Sequence, residues 1–281
     1  MSGVNLSKAS DWVQLTNTLP SLLDLRLSDC QLRPFIPPTP TVNFSSLLTL
    51  DLSWNHFENT LILSWIFGLR NLASLDLSGN DFQGPIPVDL QNMTSLSHLN
   101  LYWNNFNSSI PNWLYCFSHL EFLSLSHNNL QGTISSAIGN LTSAVSIDLS
   151  GNELGGKLSR SLGNLCNLRE IRLSENKWSQ EISEILKSLS RCVSDRLEIL
   201  DLRDSQLHGH LTDELEALVY IQGRYTKVNI DNNTKENVTL ELVKSGIFEF
   251  GVLLELLYKS LSSASSSSFL NLFTIIVSSL G

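Results

Sequence analysis

The chain has 281 residues, a formal net charge of -9 and a pI near 5.1. Because phosphate binding requires a concentrated basic surface, this charge argues against nucleic acid and anionic membranes as partners. Leucine accounts for 54 residues, serine for 42 and asparagine for 25, whereas charged residues make up only 16%. This composition excludes a highly charged disordered chain, and it excludes a coiled coil, which needs abundant Glu and Lys at heptad spacing.

The first segment, residues 1–21, starts with the polar sequence MSGVNLSKAS. A secretory signal would place a basic stretch and then an apolar run here, so we expect no signal peptide in this chain. We interpret the segment as an N-terminal flank or as part of a preceding repeat.

A repeat of the form L-x-x-L-x-L-x-x-N-x-L, with aliphatic substitutions, organises the chain from residue 22 onward. Successive copies are 24 or 25 residues apart except at the last interval, which is 29. The leucines of one copy share one side of a short strand and have no second layer to cover them. Stacking of the copies side by side buries these leucines, so the pattern predicts a solenoid with a parallel sheet over residues 22–218. The eight copies begin at Leu22, Leu47, Leu72, Leu96, Leu120, Ala144, Leu168 and Leu197.

The ninth position of the repeat predicts a buried ladder of side-chain amides. Where the chain leaves the strand, inward-facing peptide groups need partners, and an amide can both donate and accept hydrogen bonds. Cys30 holds the position in the first copy and Ser205 holds it in the last. The other six copies have asparagine there, namely Asn55, Asn80, Asn104, Asn128, Asn152 and Asn176.

Each copy continues with a small residue, an aliphatic residue and then two aliphatic residues three apart, such as Leu90 and Met93. The pair predicts one or two turns of helix or 3-10 helix on the convex side, and the small residue predicts an extended piece on the flank. Because helical turns need more room than strands, the sheet should curve.

No further copy follows residue 218, and residues 260–268 read SLSSASSSS, a low-complexity run typical of flexible segments. The apolar run at residues 269–281 is shorter than the roughly 20 residues that a membrane-spanning helix needs. We interpret residues 219–281 as a divergent tail, with disorder left open, and we expect no membrane span.

The copy NLASLDLSGNDFQGPIP, which ends at Pro87, resembles the plant-type extracellular leucine-rich repeat, whose 24-residue consensus adds L-x-G-x-I-P to the shared core. More divergent copies contain FNSSIP and LQGTI. The resemblance extends over about residues 22–211, and the S-W-N, Y-W-N and S-G-N endings are most similar to ectodomains of plant leucine-rich-repeat receptor-like proteins and kinases. It implies an α/β leucine-rich-repeat solenoid of about eight repeats. The family usually has a signal peptide, paired-cysteine caps and a membrane anchor, so their absence from this sequence indicates a fragment.

The resemblance implies a non-enzymatic module that binds a protein, peptide or glycan on its concave face, as in a plant immune or developmental receptor, with a co-receptor as a further partner. It also implies an extracellular or plasma-membrane-associated glycoprotein. Two alternatives remain open. One is an inhibitor similar to the plant proteins of this repeat type that block polygalacturonases, and the other is a non-functional remnant of a broken receptor gene.

Aromatic side chains at outward positions of the middle copies are the candidate ligand-binding residues, because aromatic anchors are favoured at protein interfaces. The alternative is stacking along the sheet by the aromatic residue that precedes the asparagine. That alternative does not account for two of the residues, His98 and Phe122. The full candidate set is Trp54, His98, Tyr102, Trp103, Phe122 and His127.

A column of mainly charged residues should follow the same face. It could recognise a basic peptide, or it could simply be a solvated surface. The column consists of Arg26, Asp51, Asp76, Asn100, Ser124, Asp148, Arg172 and Asp201.

Seven Asn-x-Ser/Thr sequons suggest N-glycosylation of the convex or lateral side. We expect modification at Asn43, Asn92, Asn107 and Asn140, whereas Asn5, Asn232 and Asn237 belong to the chain's flanks.

Cys166 and Cys192 occupy nearly the same point of consecutive copies, which predicts a disulfide between them in an oxidising compartment.

Nothing in the sequence favours catalysis. The six histidines are scattered, and the chain has no nucleophile elbow, phosphate loop or metal-ligand spacing. We expect no enzymatic activity, no cofactor and no metal.

Overall fold

The computed structural model describes residues 2–33, 44–55, 57, 61–189, 196–208, 225–229 and 241–244. Each copy of the repeat forms one coil, and we number the coils 1 to 8 from the residues at which the copies begin. Each coil contributes a three-residue strand to one parallel sheet. The strands span Asp24–Arg26, Thr49–Asp51, Ser74–Asp76, His98–Asn100, Phe122–Ser124, Ser146–Asp148, Glu170–Arg172 and Ile199–Asp201.

The sheet keeps one register across all eight coils. The middle residue of each strand pairs with the middle residue of the next, as in Leu50 with Leu75 and Leu75 with Leu99. Because side chains alternate along a strand, this register gathers all the middle side chains on one face, where they form the core. The predicted leucine-rich-repeat solenoid is therefore confirmed.

The core consists of the aliphatic positions of the repeat. Leu50, Leu75, Leu99 and Ile147 are at most 1% exposed, and the aliphatic residues two positions later are equally buried. Each side chain of this size contributes about 1.5–3 kcal/mol when it leaves water. No coil could retain that contribution alone, because its core residues are covered by the coils on either side.

Short helices cover the side of the core opposite the sheet, as the pairs of aliphatic residues predict. Coil 7, which has the 29-residue interval, carries an α-helix at Ile182–Leu189 instead of a 3-10 helix. A second α-helix at Trp12–Asn17 precedes coil 1, and the Trp12 ring contacts Trp65 edge to face at 6.0 Å. The 3-10 helices of coils 2 to 6 span Ser64–Gly68, Val88–Asn92, Asn112–Cys116, Ser136–Asn140 and Arg160–Asn164.

The flank carries the additional extended pieces. Gln83–Gly84 pairs in parallel with Asn105–Phe106. Gln131–Gly132, Glu153–Gly156 and Lys177–Trp178 form a three-stranded parallel sheet.

Two further strands lie within the segment that we interpreted as a divergent tail. Glu241–Lys244 pairs antiparallel with the strand of coil 8, and Tyr225–Asn229 pairs antiparallel with Glu241–Lys244. The sheet therefore has ten strands among the described residues. The remaining residues of 219–281 lie outside them.

The ladder asparagines link each coil to the preceding one. The Asn80 Oδ1 accepts the Asn55 backbone N–H at 3.1 Å, and its Nδ2 donates to the carbonyls of Leu52 and Leu77 at 3.1 and 3.0 Å. The other five asparagines donate in the same way to one carbonyl of the preceding coil and one of their own. Asn55 also accepts the N–H of the preceding ladder residue, Cys30, whereas the four later asparagines accept the N–H two positions after that residue, as Asn104 does from Phe82. At the ends of the ladder, the Cys30 thiol donates to the Ser28 carbonyl and the Ser205 hydroxyl donates to the Leu173 carbonyl.

The residue before each ladder position has left-handed backbone geometry in every coil. This conformation turns the chain so that the next side chain enters the core side, and it costs a non-glycine residue roughly 1–2 kcal/mol. Only coils 3 and 6 have glycine there. The eight residues, with φ between 49° and 62°, are Asp29, Trp54, Gly79, Trp103, His127, Gly151, Glu175 and Asp204.

The first prediction concerns the core. Leu99→Ala should lower the free energy of unfolding by about 2–5 kcal/mol, because Leu99 is 1% exposed and its removal leaves a cavity. Urea titration followed by circular dichroism measures the change. Leu61→Ala is the matched control, since Leu61 is 65% exposed and should change stability by less than about 0.5 kcal/mol. Equal effects of the two substitutions would show that the register is wrong.

The second prediction concerns the ladder. Asn104→Ala removes the acceptor of the Phe82 N–H and the donor to three carbonyls, so it should destabilise the protein by at least about 1–3 kcal/mol. The adjacent Asn105→Ala, at an exposed position, should be close to neutral in the same titration. A neutral Asn104→Ala would contradict a stabilising role for the ladder.

Candidate binding face

The face of the sheet opposite the core carries the first and third residues of every strand. We call it the outer face, and it holds the outward strand positions at which the sequence analysis expected ligand-binding residues. Its two columns follow directly from the register. The first-residue column reads Asp24, Thr49, Ser74, His98, Phe122, Ser146, Glu170 and Ile199, and the third-residue column is the charged column named above.

Two rings stack at the centre of the outer face. The His98 and Phe122 centroids are 4.4 Å apart at an interplanar angle of 20°, and Phe122 is 39% exposed. Their neighbours in the column are the short side chains of Ser74 and Ser146. The His98 Nδ1 lies 2.8 Å from the Ser97 hydroxyl. The pair therefore forms an aromatic platform bordered by small polar groups.

The other candidate aromatic residues lie where the strands end, at what we call the rim. Trp54, Trp103 and His127 all hold the left-handed position, and Tyr102 joins them through ring contacts of 5.4–6.4 Å. The structure thus divides the six candidate residues into a central pair and a rim cluster.

Stacking between coils explains two of the rim rings. A Cβ added to Gly79 would lie 2.3 Å from the Trp54 ring, and one added to Gly151 would lie 2.7 Å from the His127 ring. Each ring therefore covers the glycine of the next coil. Trp103 differs, because the next coil has His127 at that position and the two rings lie side by side with centroids 5.4 Å apart.

The acidic side chains of the charged column close the turns that follow the strands. The Oδ1 atoms of Asp51, Asp76 and Asp148 each accept the backbone N–H and the hydroxyl of the serine two residues later. At Asp201 burial by itself raises the pKa, but the hydrogen bonds and positive charge of Arg203 outweigh it, so the pKa of this carboxyl lies below its usual range. These contacts favour a structural role for the column.

A shallow groove lies beside the rim, and the sequence analysis did not identify it. It has a volume of about 350 Å³ and is lined by Trp103, His127 and three ladder asparagines, together with Asp81, Asn105, Asn129 and Gly151. Asp81, Asn105 and Asn129 each follow a ladder asparagine in consecutive coils. That shared position was the available signal, but repeat analysis alone does not show that the position opens onto a groove.

The predicted modification sites fall on exposed backbone. Asn92 and Asn140 are the last residues of two 3-10 helices, Asn107 follows a flank strand, and all three side chains are exposed. Asn43 lies outside the described residues.

Cys166 is in a disulfide, but its predicted partner Cys192 lies outside the described residues, so that pairing stays a prediction.

Among the described residues, no group of three or more His, Cys, Asp and Glu side chains could hold a metal ion. In the same part of the chain, no helix combines the length and apolar character needed to cross a membrane.

Comparison with known proteins agrees with this architecture. The Leucine Rich Repeat family matches residues 71–93, 95–117, 119–141 and 143–165, and a second Leucine Rich repeat family matches residues 45–60. The tomato (Solanum lycopersicum) receptor-like protein EIX1 is 35% identical over 83 residues, which cover 28% of this chain and 8% of the relative.

Solved receptor ectodomains are similar over a larger part of the chain. The ectodomain of the Arabidopsis thaliana receptor kinase GASSHO1/SCHENGEN3, solved with CASPARIAN STRIP INTEGRITY FACTOR 2, is 33% identical with a TM-score of 0.64 and covers 72% of this chain. The Arabidopsis receptor kinase HAESA ectodomain, solved with an IDA peptide hormone ligand, is 29% identical with a TM-score of 0.53 and covers 74%. This chain spans 24% and 37% of those two ectodomains. The repeats at residues 45–60 and within 71–165 are therefore leucine-rich repeats, and the solenoid is similar to the ectodomains of plant leucine-rich-repeat receptor-like proteins and receptor kinases.

Proposed function

We propose that the chain is a non-enzymatic recognition module whose outer face binds an extended peptide or a segment of a protein. The His98–Phe122 pair carries the proposal. The ladder, the turns and the core do not use these rings, and they stand at the centre of a rigid sheet with Phe122 39% exposed. Rigid aromatic side chains supply contact area at low entropic cost, which makes them the usual anchors of interfaces.

The surroundings of the pair favour a peptide over a folded globular partner. Small serines border the rings within their column, which leaves space for side chains of a strand-like ligand. Asp76 and Asn100 hydrogen-bond to each other at 2.9 Å beside the pair and present a polar edge. The ectodomains solved with CASPARIAN STRIP INTEGRITY FACTOR 2 and with an IDA peptide hormone support the same ligand class. In this proposal, a co-receptor is a further partner that would contact the bound peptide.

The test is selection of linear peptides of random sequence on the purified chain, with affinities of the selected peptides measured by isothermal titration calorimetry. Phe122→Ala and His98→Ala should each weaken binding by about tenfold or more, because truncating an anchor in a well-packed interface costs at least 1.4 kcal/mol. Val88→Ala is the control, since Val88 is 55% exposed on a 3-10 helix behind the core. Peptides that bind both variants as tightly as the wild type would contradict the proposal.

We further propose that the chain is an extracellular or plasma-membrane-associated glycoprotein, with glycans at Asn92, Asn107 and Asn140. Their exposure on the helical side and the flank leaves the outer face uncovered. When the chain is directed to the secretory pathway of plant cells, mass spectrometry of its peptides should find glycans at these three positions. Asn→Gln at each position should remove one glycan and leave peptide binding unchanged. Unmodified asparagines in the secreted chain would contradict this proposal.

A further inference from the structure

The rim groove differs chemically from the central pair. Of the side chains that line it, only Asp81 is acidic, and none is lysine or arginine. One wall is the Trp103 ring, which is 52% exposed, with the His127 ring beside it. The groove therefore combines one open aromatic face with polar surroundings that include no lysine or arginine.

The amide groups of the groove are available to a ligand at two positions only. The ladder asparagines use their amides within the coils, as Asn104 and Asn128 do with three carbonyls each. Asn105 and Asn129, in contrast, are exposed, and their side-chain amides have no hydrogen-bond partner among the described residues. Each offers both a donor and an acceptor in one plane, one coil apart.

Among the aromatic residues that hold the left-handed position, Trp103 is the one whose ring does not pack on a glycine of the next coil. Its backbone is left-handed with φ of 54°, a conformation that is costly for a large side chain. Trp54 has nearly the same φ of 57°, but its ring covers Gly79. The Trp103 ring covers no glycine and is 52% exposed, so it presents an open indole face beside the His127 ring.

We propose that the rim groove is a second binding site, separate from the outer face, and that it takes a neutral sugar unit of an oligosaccharide. The weakly positive C–H face of a pyranose ring stacks on an indole, and adjacent hydroxyls exchange hydrogen bonds with planar amides such as those of Asn105 and Asn129. A volume of about 350 Å³ lies at the lower end of the range for small-ligand sites, which suits one or two sugar units.

The same features argue against anionic ligands. Phosphate, sulfate and uronic acids are bound through cations, and the lining residues include no lysine or arginine. A peptide is matched less well than a sugar, because the lining is mostly amide groups around one indole face and offers little apolar contact area.

The test measures binding of neutral hexasaccharides of glucose, xylose and N-acetylglucosamine to the whole chain by isothermal titration calorimetry, together with tryptophan fluorescence. At least one should bind saturably, and hexagalacturonic acid should bind about tenfold more weakly or not at all. Trp103→Ala should weaken binding by about tenfold or more, and Asn105→Ala and Asn129→Ala by about threefold or more each. The two asparagine variants keep the test decisive if Trp103→Ala fails to fold.

Two controls separate this site from its surroundings and from the proposed peptide site. Trp54→Ala removes an equally placed tryptophan outside the groove and should leave sugar affinity within about twofold. Phe122→Ala should weaken the selected peptides but not the sugar. The proposal is overturned if no neutral hexasaccharide binds, if hexagalacturonic acid binds equally well, or if Trp54→Ala weakens binding as much as Trp103→Ala.

Discussion

The structure depends on one constraint, which is that no coil can satisfy its own inward-facing peptide groups. The asparagine that enters the core side after each strand supplies the missing partners, and it does so across the boundary between coils. Asn80, for example, bonds to Leu77 in its own coil and to Leu52 and Asn55 in the coil before. Because an unpaired buried donor or acceptor costs about 1–3 kcal/mol, a coil that slipped by one residue would lose several such bonds together. The ladder therefore fixes the register along with the core.

Because the core and the ladder use other positions of the repeat, the residues of the outer face can vary from coil to coil. The core uses the middle strand residue and the ladder uses the asparagine, so neither depends on the side chain of the first strand residue. Coils 4 and 5 have His98 and Phe122 there, whereas the coils on either side have serine. The third strand residue is more constrained, because Asp51, Asp76 and Asp148 all close the following turn. Specificity is therefore expected to reside mainly in the first column.

The sequence predicts most of the fold because the repeat encodes it with period and side-chain type alone. Even spacing of the aliphatic residues fixes which side chains lie opposite one another, as for Leu75 and Leu99. The repeat pattern predicts a helix or 3-10 helix in every copy, but it could not single out coil 7 for a longer α-helix, since the extra residues of the 29-residue interval have no counterpart in other copies. The antiparallel strands at 225–229 and 241–244 belong to no copy and were missed for the same reason. In the candidate site, the grouping of aromatic rings and the rim groove depend on side-chain directions between coils, which spacing does not specify.

The backbone geometry at the position of Trp103 limits which residues can occur along the rim. A left-handed residue must precede every ladder position, so glycine, asparagine and aspartate are the favoured choices there. Trp54 and His127 depart from this preference, but each gains contact with a glycine in the next coil, at Gly79 and Gly151. Such pairing alternates bulky and small residues along the rim, and it fails where Trp103 is followed by His127. Two large rings then meet without a glycine between them, and one of them stays exposed. The groove lies at this break in the alternation, between the exposed Trp103 ring and the side-chain amides of Asn105 and Asn129.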